Sequence, residues 1–310
     1  MASIGKIARR TFLVGSAAIV GGVAFGVYKV AETPPNPLTA GPGEAALNPF
    51  VFIDQNGVTL IAPRAEMGQG VYTTWAALIA EELDVELADV RVLHGPPAKA
   101  YYNSAMMADA FPVADYDKSD FLHSLGEALG GVGKLLDLQV TGGSTAMKDG
   151  FTRMREAGAT AREALKEAAA QRLGVSRDTL KTQAGQVIAP DGTTLSYTEL
   201  AEAAARIDPP RVHLRHPSEW KLLGQSQDRV DMVGKATGTA EYSIDVRPEG
   251  LKFATLRINP KLGGGMKSYD DSAARTMQGV EKIVDLGNGI AVIASNTWFA
   301  IQAADAVEIE

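Results

Sequence analysis

The stretch Glu66-Met67-Gly68-Gln69-Gly70, running on into Val71-Tyr72-Thr73-Thr74-Trp75, sets two glycines around one amide just before a helical pattern begins. Glycine takes positive φ and lets another group approach the backbone closely. The first turn of a helix offers N–H groups without intrahelical partners and a partial positive charge. Such a stretch suits a phosphate or pterin cradle, and it suits equally a tight turn ahead of a core helix. Beyond the glycines, Val71, Trp75, Leu78, Ile79 and Leu83 fall on one helical stripe, with Glu81 and Glu82 outside it, so Trp75 reads as a packing residue. Upstream, residues 50–53 and 58–61 are β-rich runs around Asn56-Gly57, which predicts a hairpin that delivers the chain to Glu66.

A second stretch repeats the pattern. Thr141-Gly142-Gly143-Ser144-Thr145 precedes a helical run over residues 148–173, and either hydroxyl could cap that helix. Hydroxyls and N–H groups at such an end suit a diphosphate; a capped helix after a turn is the plainer alternative. Within the helix, Ala157-Gly158-Ala159-Thr160-Ala161 permits close approach of another element, and Arg153, Arg155, Arg162 and Lys166 read as a solvated face. Neither glycine stretch carries the lysine of a P-loop, which disfavours a nucleotide hydrolase. Between the stretches, residues 90–93 read as a strand, 95–115 as a loop, and 121–136 as a glycine-interrupted amphipathic run.

Composition narrows the chemistry. The 310 residues carry a net charge of -7 with Lys and Arg scattered, which argues against a nucleic-acid surface. The absence of cysteine excludes disulfides, thiolate metal sites and a cysteine nucleophile within these residues. Four histidines give little to a metal centre: His94 and His123 are isolated, and His213 with His216 would need a third ligand from elsewhere. No metal ligand is therefore assigned.

The N-terminus has the form of a twin-arginine export signal. Arg9-Arg10-Thr11-Phe12-Leu13 opens a glycine-containing apolar run to residue 27, short of the roughly 20 residues that span a bilayer. Export to the periplasm is expected, and an uncleaved signal would leave a membrane anchor. Residues 31–48, with four prolines, read as a linker, so that the folded body is expected to start near Pro49. Pro190-Asp191-Gly192 sits in a small hairpin. Ser196-Tyr197-Thr198-Glu199 is a capping box opening a helix over 197–206, and Asp208-Pro209-Pro210 ends it. The domain boundary is placed there, or nearer Glu219. Strand-like runs at 251–258, 280–286 and 290–293 and a helix at 298–307 then predict a small α+β domain.

Taken with these residues, the chain resembles the molybdenum-binding large subunit of the xanthine dehydrogenase family, nearest the branch of isoquinoline 1-oxidoreductase beta subunits and periplasmic aldehyde dehydrogenases. Glu66-Met67-Gly68-Gln69-Gly70 with Thr73-Thr74 and Ile79-Ala80-Glu81-Glu82-Leu83 resembles the family's cofactor loop and following helix. Thr141 to Thr145, with Ala157-Gly158-Ala159 and Ala161-Arg162, resembles the second. Arg229, Asp231, Lys235, Thr237, Gly238 and Tyr242 resemble the start of the family's hammerhead domain. The resemblance implies an α+β fold, with a molybdopterin-binding segment over residues 49–208 and an α/β hammerhead domain over 219–310. It implies a molybdopterin cytosine dinucleotide whose molybdenum is held by the pterin. Gly68, Gln69 and Gly70 would contact it near the metal, and Gly142, Gly143, Ser144 and Thr145 at the pyrophosphate. The implied reaction is hydroxylation of an aldehyde or N-heterocycle with oxygen from water. Electrons would leave through a [2Fe-2S] partner subunit, with a cytochrome c as a further acceptor. The family's glutamate base has no counterpart here, and neither Glu308 nor Glu310 is assigned that role. The chain thus reads as the N-terminal portion of such a subunit, inactive alone. The competing class is a non-catalytic periplasmic binding or assembly protein.

Overall fold

The computed structural model of the protein describes residues 32–108, 113–208 and 212–310. The signal-like residues 1–30 and the Pro209-Pro210 pair lie outside the described residues. The fold is α+β, in two compact units that divide between Gly238 and Thr239.

In the first unit, strands β1 (Ala45–Asn48), β2 (Val51–Asp54) and β3 (Gly57–Ala62) form an antiparallel meander, and β4 (Arg91–His94) joins β3 in parallel. The expected hairpin is present, with Asp54 paired to Gly57 across a two-residue loop. The linker ends sooner than expected. Ala45–Asn48 lacks β-branched residues but is recruited as an edge strand by pairing with β2, so tertiary context decides what propensity does not. Helix α1 (Val71–Leu83) supplies the crossover that a parallel β3–β4 pair requires.

Helix α2 (Asp120–Leu135) takes its N-cap from Ser119 and turns buried glycines inward, and Ala105–Ala108 forms a short helical turn before it. The long helix α3 (Ala146–Leu173) packs on α1. Their close approach depends on two glycines: a Cβ on Gly158 would stand 2.3 Å from the Ile79 carbonyl oxygen, and one on Gly150 would stand 2.4 Å from Trp75 Nε1. Strands β5 (Lys181–Gln183), β6 (Gln186–Ile188) and β7 (Thr194–Ser196) make a small antiparallel sheet. β5 carries no turn signal in the sequence, because its turn uses Ala184 as well as Gly185 at positive φ. Helix α4 (Tyr197–Ala204) opens on the expected capping box of Ser196 and Glu199.

Two expectations fail here for one reason. Helix α1 is buried on nearly every face, Glu81 and Glu82 included, so these carboxylates do not lie on a solvated side. They draw in the arginines of α3: Arg155 pairs with Glu82 at 2.8 Å and Arg162 with Glu82 at 3.4 Å, and both arginines are buried rather than solvated. An unpaired buried carboxylate is costly, which is why these partners come inside.

The division between units also falls later than residues 208–219, because residues 215–231 strap along α1. Arg215 donates its backbone N–H to Glu82 at 3.1 Å and its guanidinium to Asp84. The backbone N–H groups of Lys221, Leu222 and Leu223 all donate to the Glu81 carboxylate, at 2.7 to 3.1 Å. Val230 N–H donates to Thr73 Oγ1 at 3.1 Å.

In the second unit, β8 (Phe253–Ile258), β10 (Val280–Asp285) and β11 (Gly289–Ala294) form an antiparallel sheet with β11 in the middle, which is why β11 is the most buried of the three. β9 (Tyr269–Asp270) pairs with β12 (Glu308–Ile309). Helix α5 (Thr297–Asp305), capped by Asn296, covers this sheet and buries Ala300, Ala303 and Ala304. Among the described residues no helix is long and apolar enough to cross a membrane.

Two outcomes follow from the packing of α1. Gly158→Ala, which drives a methyl group into a backbone carbonyl, should cost about 1–3 kcal/mol in urea unfolding. Gly142→Ala, where the added Cβ meets nothing within 4 Å, should cost far less. The strap should also make stability depend on acid. Burial pushes the Asp84 carboxyl up, but Arg215, Thr182 and Lys221 outweigh it and hold the group below the usual range. A depressed folded-state pKa gives stability that is present above the unfolded value of about 4 and is lost as pH falls through the folded one. Unfolding free energy should therefore decline below about pH 4, and Asp84→Asn should flatten that decline while lowering stability at neutral pH.

Candidate functional site

The fold brings the two glycine stretches together. Thr141 donates its hydroxyl to the Ala65 carbonyl at 3.0 Å, and Gln69 Nε2 donates to the same oxygen at 3.2 Å. One turn further in, Trp75 Nε1 donates to the Ala146 carbonyl at 3.4 Å. Helices α1 and α3 thus begin side by side, each preceded by its glycine loop. Gly68 and Gly70 have φ of +105° and +86°, and a Cβ on either would meet nothing within 4 Å. Gly143 and Ser144 are exposed at φ of +60° and +55°. A serine in the left-handed region is strained by about 1 kcal/mol, and strain of this kind concentrates at functional turns.

The donors at the start of α1 are not left open. The Glu66 carboxylate accepts from Gly68 N at 2.6 Å, Gly70 N at 3.0 Å and Tyr72 N at 3.2 Å, so an internal anion sits where the sequence suggests an external one. Burial pushes the Glu66 carboxyl up, but these three N–H groups and Arg229 outweigh it and hold the group below the usual carboxylate range. Gln69 is exposed, and its amide folds back on the loop, with Oε1 accepting from Met67 N at 2.5 Å. In the second loop, Thr145 is buried. Its hydroxyl donates to the Gly142 carbonyl at 2.7 Å and accepts from Asn103 Nδ2 at 2.8 Å, so it is committed inside the fold. What the paired loops offer to a ligand is therefore glycine backbone without side-chain hindrance at Gly68, Gly70 and Gly142, together with exposed Gly143, Ser144 and the Gln69 amide. These openings leave room for a group lying against the backbone of the paired loops.

Beneath the loops lies a buried charge cluster that the sequence reading did not single out. Arg64 Nη1 donates to Asp149 Oδ2 at 2.7 Å and to the Tyr102 carbonyl at 3.1 Å, and its guanidinium carbon stands 5.2 Å from the Trp75 ring. Asp149 also accepts from Ser104 N at 2.9 Å and pairs with Arg153 at 3.1 Å. Burial lowers the pKa of Arg64 against the opposing pull of Asp149. Beside this cluster a cavity of about 620 Å³ is lined by Arg64, Ala65, His94, Lys99, Gln139 and Thr141 among others. Nothing local in the sequence marks this cluster, because Arg64 and Asp149 lie 85 positions apart and meet only in the fold.

The remaining candidates lie elsewhere. Glu310 pairs with Lys267 at 2.8 Å on the surface of the second unit, and Glu308 lies in the short strand β12. His216 caps the turn Pro217–Glu219, and His94 Nδ1 stands 2.6 Å from the Gly95 carbonyl oxygen.

No family model matches the chain. It is 29% identical to the beta subunit of isoquinoline 1-oxidoreductase from Brevundimonas diminuta, in a match covering 97% of this chain and 39% of that protein. Identity is 28% to the B subunit of nicotinate dehydrogenase from Pseudomonas putida, over 86% of this chain and 20% of the relative. A membrane-bound aldehyde dehydrogenase [pyrroloquinoline-quinone] of Gluconacetobacter polyoxogenes is 27% identical, over 98% of this chain and 37% of the relative. Among solved structures, CO dehydrogenase from Oligotropha carboxidovorans matches 49% of this chain and 15% of its own, with 20% identity and a TM-score of 0.32. The chain spans well under half the length of each of these proteins. Over nearly its whole length the chain is thus similar to part of the isoquinoline 1-oxidoreductase beta subunit and to part of the Gluconacetobacter dehydrogenase, and over most of its length to part of the nicotinate dehydrogenase subunit.

Proposed function

We propose that these residues form the part of a molybdenum hydroxylase large subunit that holds two backbone loops against a molybdopterin cytosine dinucleotide, followed by an α/β hammerhead domain. The observation that carries the reading is the pairing of the two glycine loops through the Ala65 carbonyl, with open space over Gly68, Gly70 and Gly142. When bound, such a cofactor supplies a metal centre that hydroxylates an electron-poor carbon with oxygen from water. The chain's own part is to bind and orient. Gln69 would contact the metal end through its exposed amide, while Gly142, Gly143 and Ser144 would hold the pyrophosphate with backbone and one hydroxyl. Thr145 supports that loop from within. The names of the relatives point to N-heteroaromatic compounds and aldehydes as the substrate class. Electrons pass to a [2Fe-2S] partner subunit, then on to a cytochrome c, and the catalytic base is carried by residues outside this sequence. The twin-arginine pattern directs the assembled protein to the periplasm.

A non-catalytic periplasmic binding or assembly protein is the second reading. The observation on its side is that Glu66 and the loop itself satisfy the Gly68 and Gly70 amides and the Gln69 side chain without any ligand.

Metal and nucleotide analysis separates the two. The complete large subunit, co-expressed with its small subunit plus maturation factors, should carry molybdenum and release cytidine monophosphate on acid treatment. Reproducible absence of both would favour the binding protein, and extraction of pyrroloquinoline quinone instead would place the cofactor with the name borne by the Gluconacetobacter relative. The 310-residue chain reconstituted with its small subunit should show no sustained dye reduction with an aromatic aldehyde or N-heterocycle; turnover there would remove the claim that the base lies elsewhere.

A further inference from the structure

Gly68 is held from both sides. Its N–H donates to Glu66 Oε1 at 2.6 Å, and its carbonyl accepts from Arg229 Nη1 at 3.2 Å. The neighbouring nitrogen of the same guanidinium, Nη2, reaches Glu66 Oε1 at 3.4 Å. One planar fork therefore grips both the backbone of the turn and the carboxylate that organises its amides, a geometry that a point charge cannot reproduce. The fork is itself fixed: Asp231 accepts from Arg229 Nε at 3.1 Å and from Nη2 at 3.2 Å, and Asp231 is paired in turn with Lys235. Next along the chain, Val230 N–H is anchored on Thr73 Oγ1 in the first turn of α1. The need for such a clamp is local. Two glycines at positive φ make residues 66–70 a segment with many accessible conformations, and in the one the structure holds Gln69 bridges the Met67 N–H and the Ala65 carbonyl.

We propose that Arg229 is a positioning residue for Gln69: by bridging the Gly68 carbonyl and the Glu66 carboxylate it selects the one loop conformation that presents the Gln69 amide. The inference rests on the reading of this loop as a cofactor contact, but the clamp belongs to the chain itself and is measurable without cofactor. It also gives the segment before Gly238 a task in the first unit. Residues 229–231 tie down the glycine loop, and the second unit begins only afterwards.

The test is amide hydrogen exchange of the 310-residue chain, read at Gly68, Gly70 and Tyr72 and, as an internal reference, at residues 75–83 within α1. Arg229→Gln should speed exchange at the three loop amides by about threefold or more, the scale of a partly exposed charged contact, and leave the α1 reference unchanged. Arg229→Lys should recover only part of the protection, because one ammonium cannot serve both acceptors. Lys235→Ala, which touches Asp231 but not the loop, should leave the loop amides as they are. Combining Arg229→Gln with Glu66→Gln should be less than additive. Unchanged loop exchange in Arg229→Gln, full recovery with lysine, or loosening shared equally by the α1 reference would each overturn the proposal. Because the readout is taken on the cofactor-free chain, its failure leaves the molybdenum and nucleotide measurements of the complete large subunit to decide the cofactor reading separately.

Discussion

Two adjacent carboxylates inside a buried helix dictate much of the first unit. Glu81 and Glu82 are both almost fully buried in α1, where a charge without partners would cost several kcal/mol. Their satisfaction is distributed. Glu82 takes two arginines from α3 and the backbone N–H of Arg215, and Glu81 takes three consecutive N–H groups from residues 221–223. Each demand brings a different part of the chain to one helix, and that helix begins at the glycine loop. The position of the candidate site is therefore set partly by charge satisfied at the far end of α1. Hydrophobic packing alone would leave α1 free to rotate or slide on α3; the carboxylates, together with Gly158 seated on the Ile79 carbonyl, fix one register.

The same organisation explains what the sequence disclosed. Hairpins, caps and strands governed by local rules were legible: Asn56-Gly57, the Ser196 capping box and the strands of the second unit occur where their residues indicate. Features governed by distant partners were not. Glu81 and Glu82 look solvated when α1 is read alone, as do Arg155 and Arg162 on α3, because only the pairing of those two faces hides all four. Residues 215–231 have no periodic pattern, so nothing local ties them to α1. The proline pair after Asp208 looks like an end, whereas the unit ends at Gly238 because its contacts are electrostatic and long in sequence.

At the glycine loops the sequence identified the residues and left their chemistry open. Glycine before a helix signals that something approaches the backbone closely without saying what. In the first loop one such partner is Glu66, an acid two residues before Gly68, and a short Asx-like or Glu-mediated turn of this kind is hard to separate by eye from a ligand cradle. In the second, Thr145 reads as a helix cap or a pyrophosphate contact, yet Asn103 claims its hydroxyl from a segment whose sequence resembles an ordinary loop.

The strap along α1 also bears on how the chain is made. Its donors lie far along the chain from the carboxylates they satisfy, since Leu222 and Glu81 are separated by 141 positions. On a ribosome, α1 and its glycine loop emerge well before residues 215–231, so over that interval the Glu81 carboxylate lacks its native partners. Helix α1 would stay hydrated at that end, and the Glu66 turn unclamped, until the strap arrives. The order of translation thus leaves the Glu81 carboxylate and the Glu66 turn without these contacts until residues 215–231 have been made.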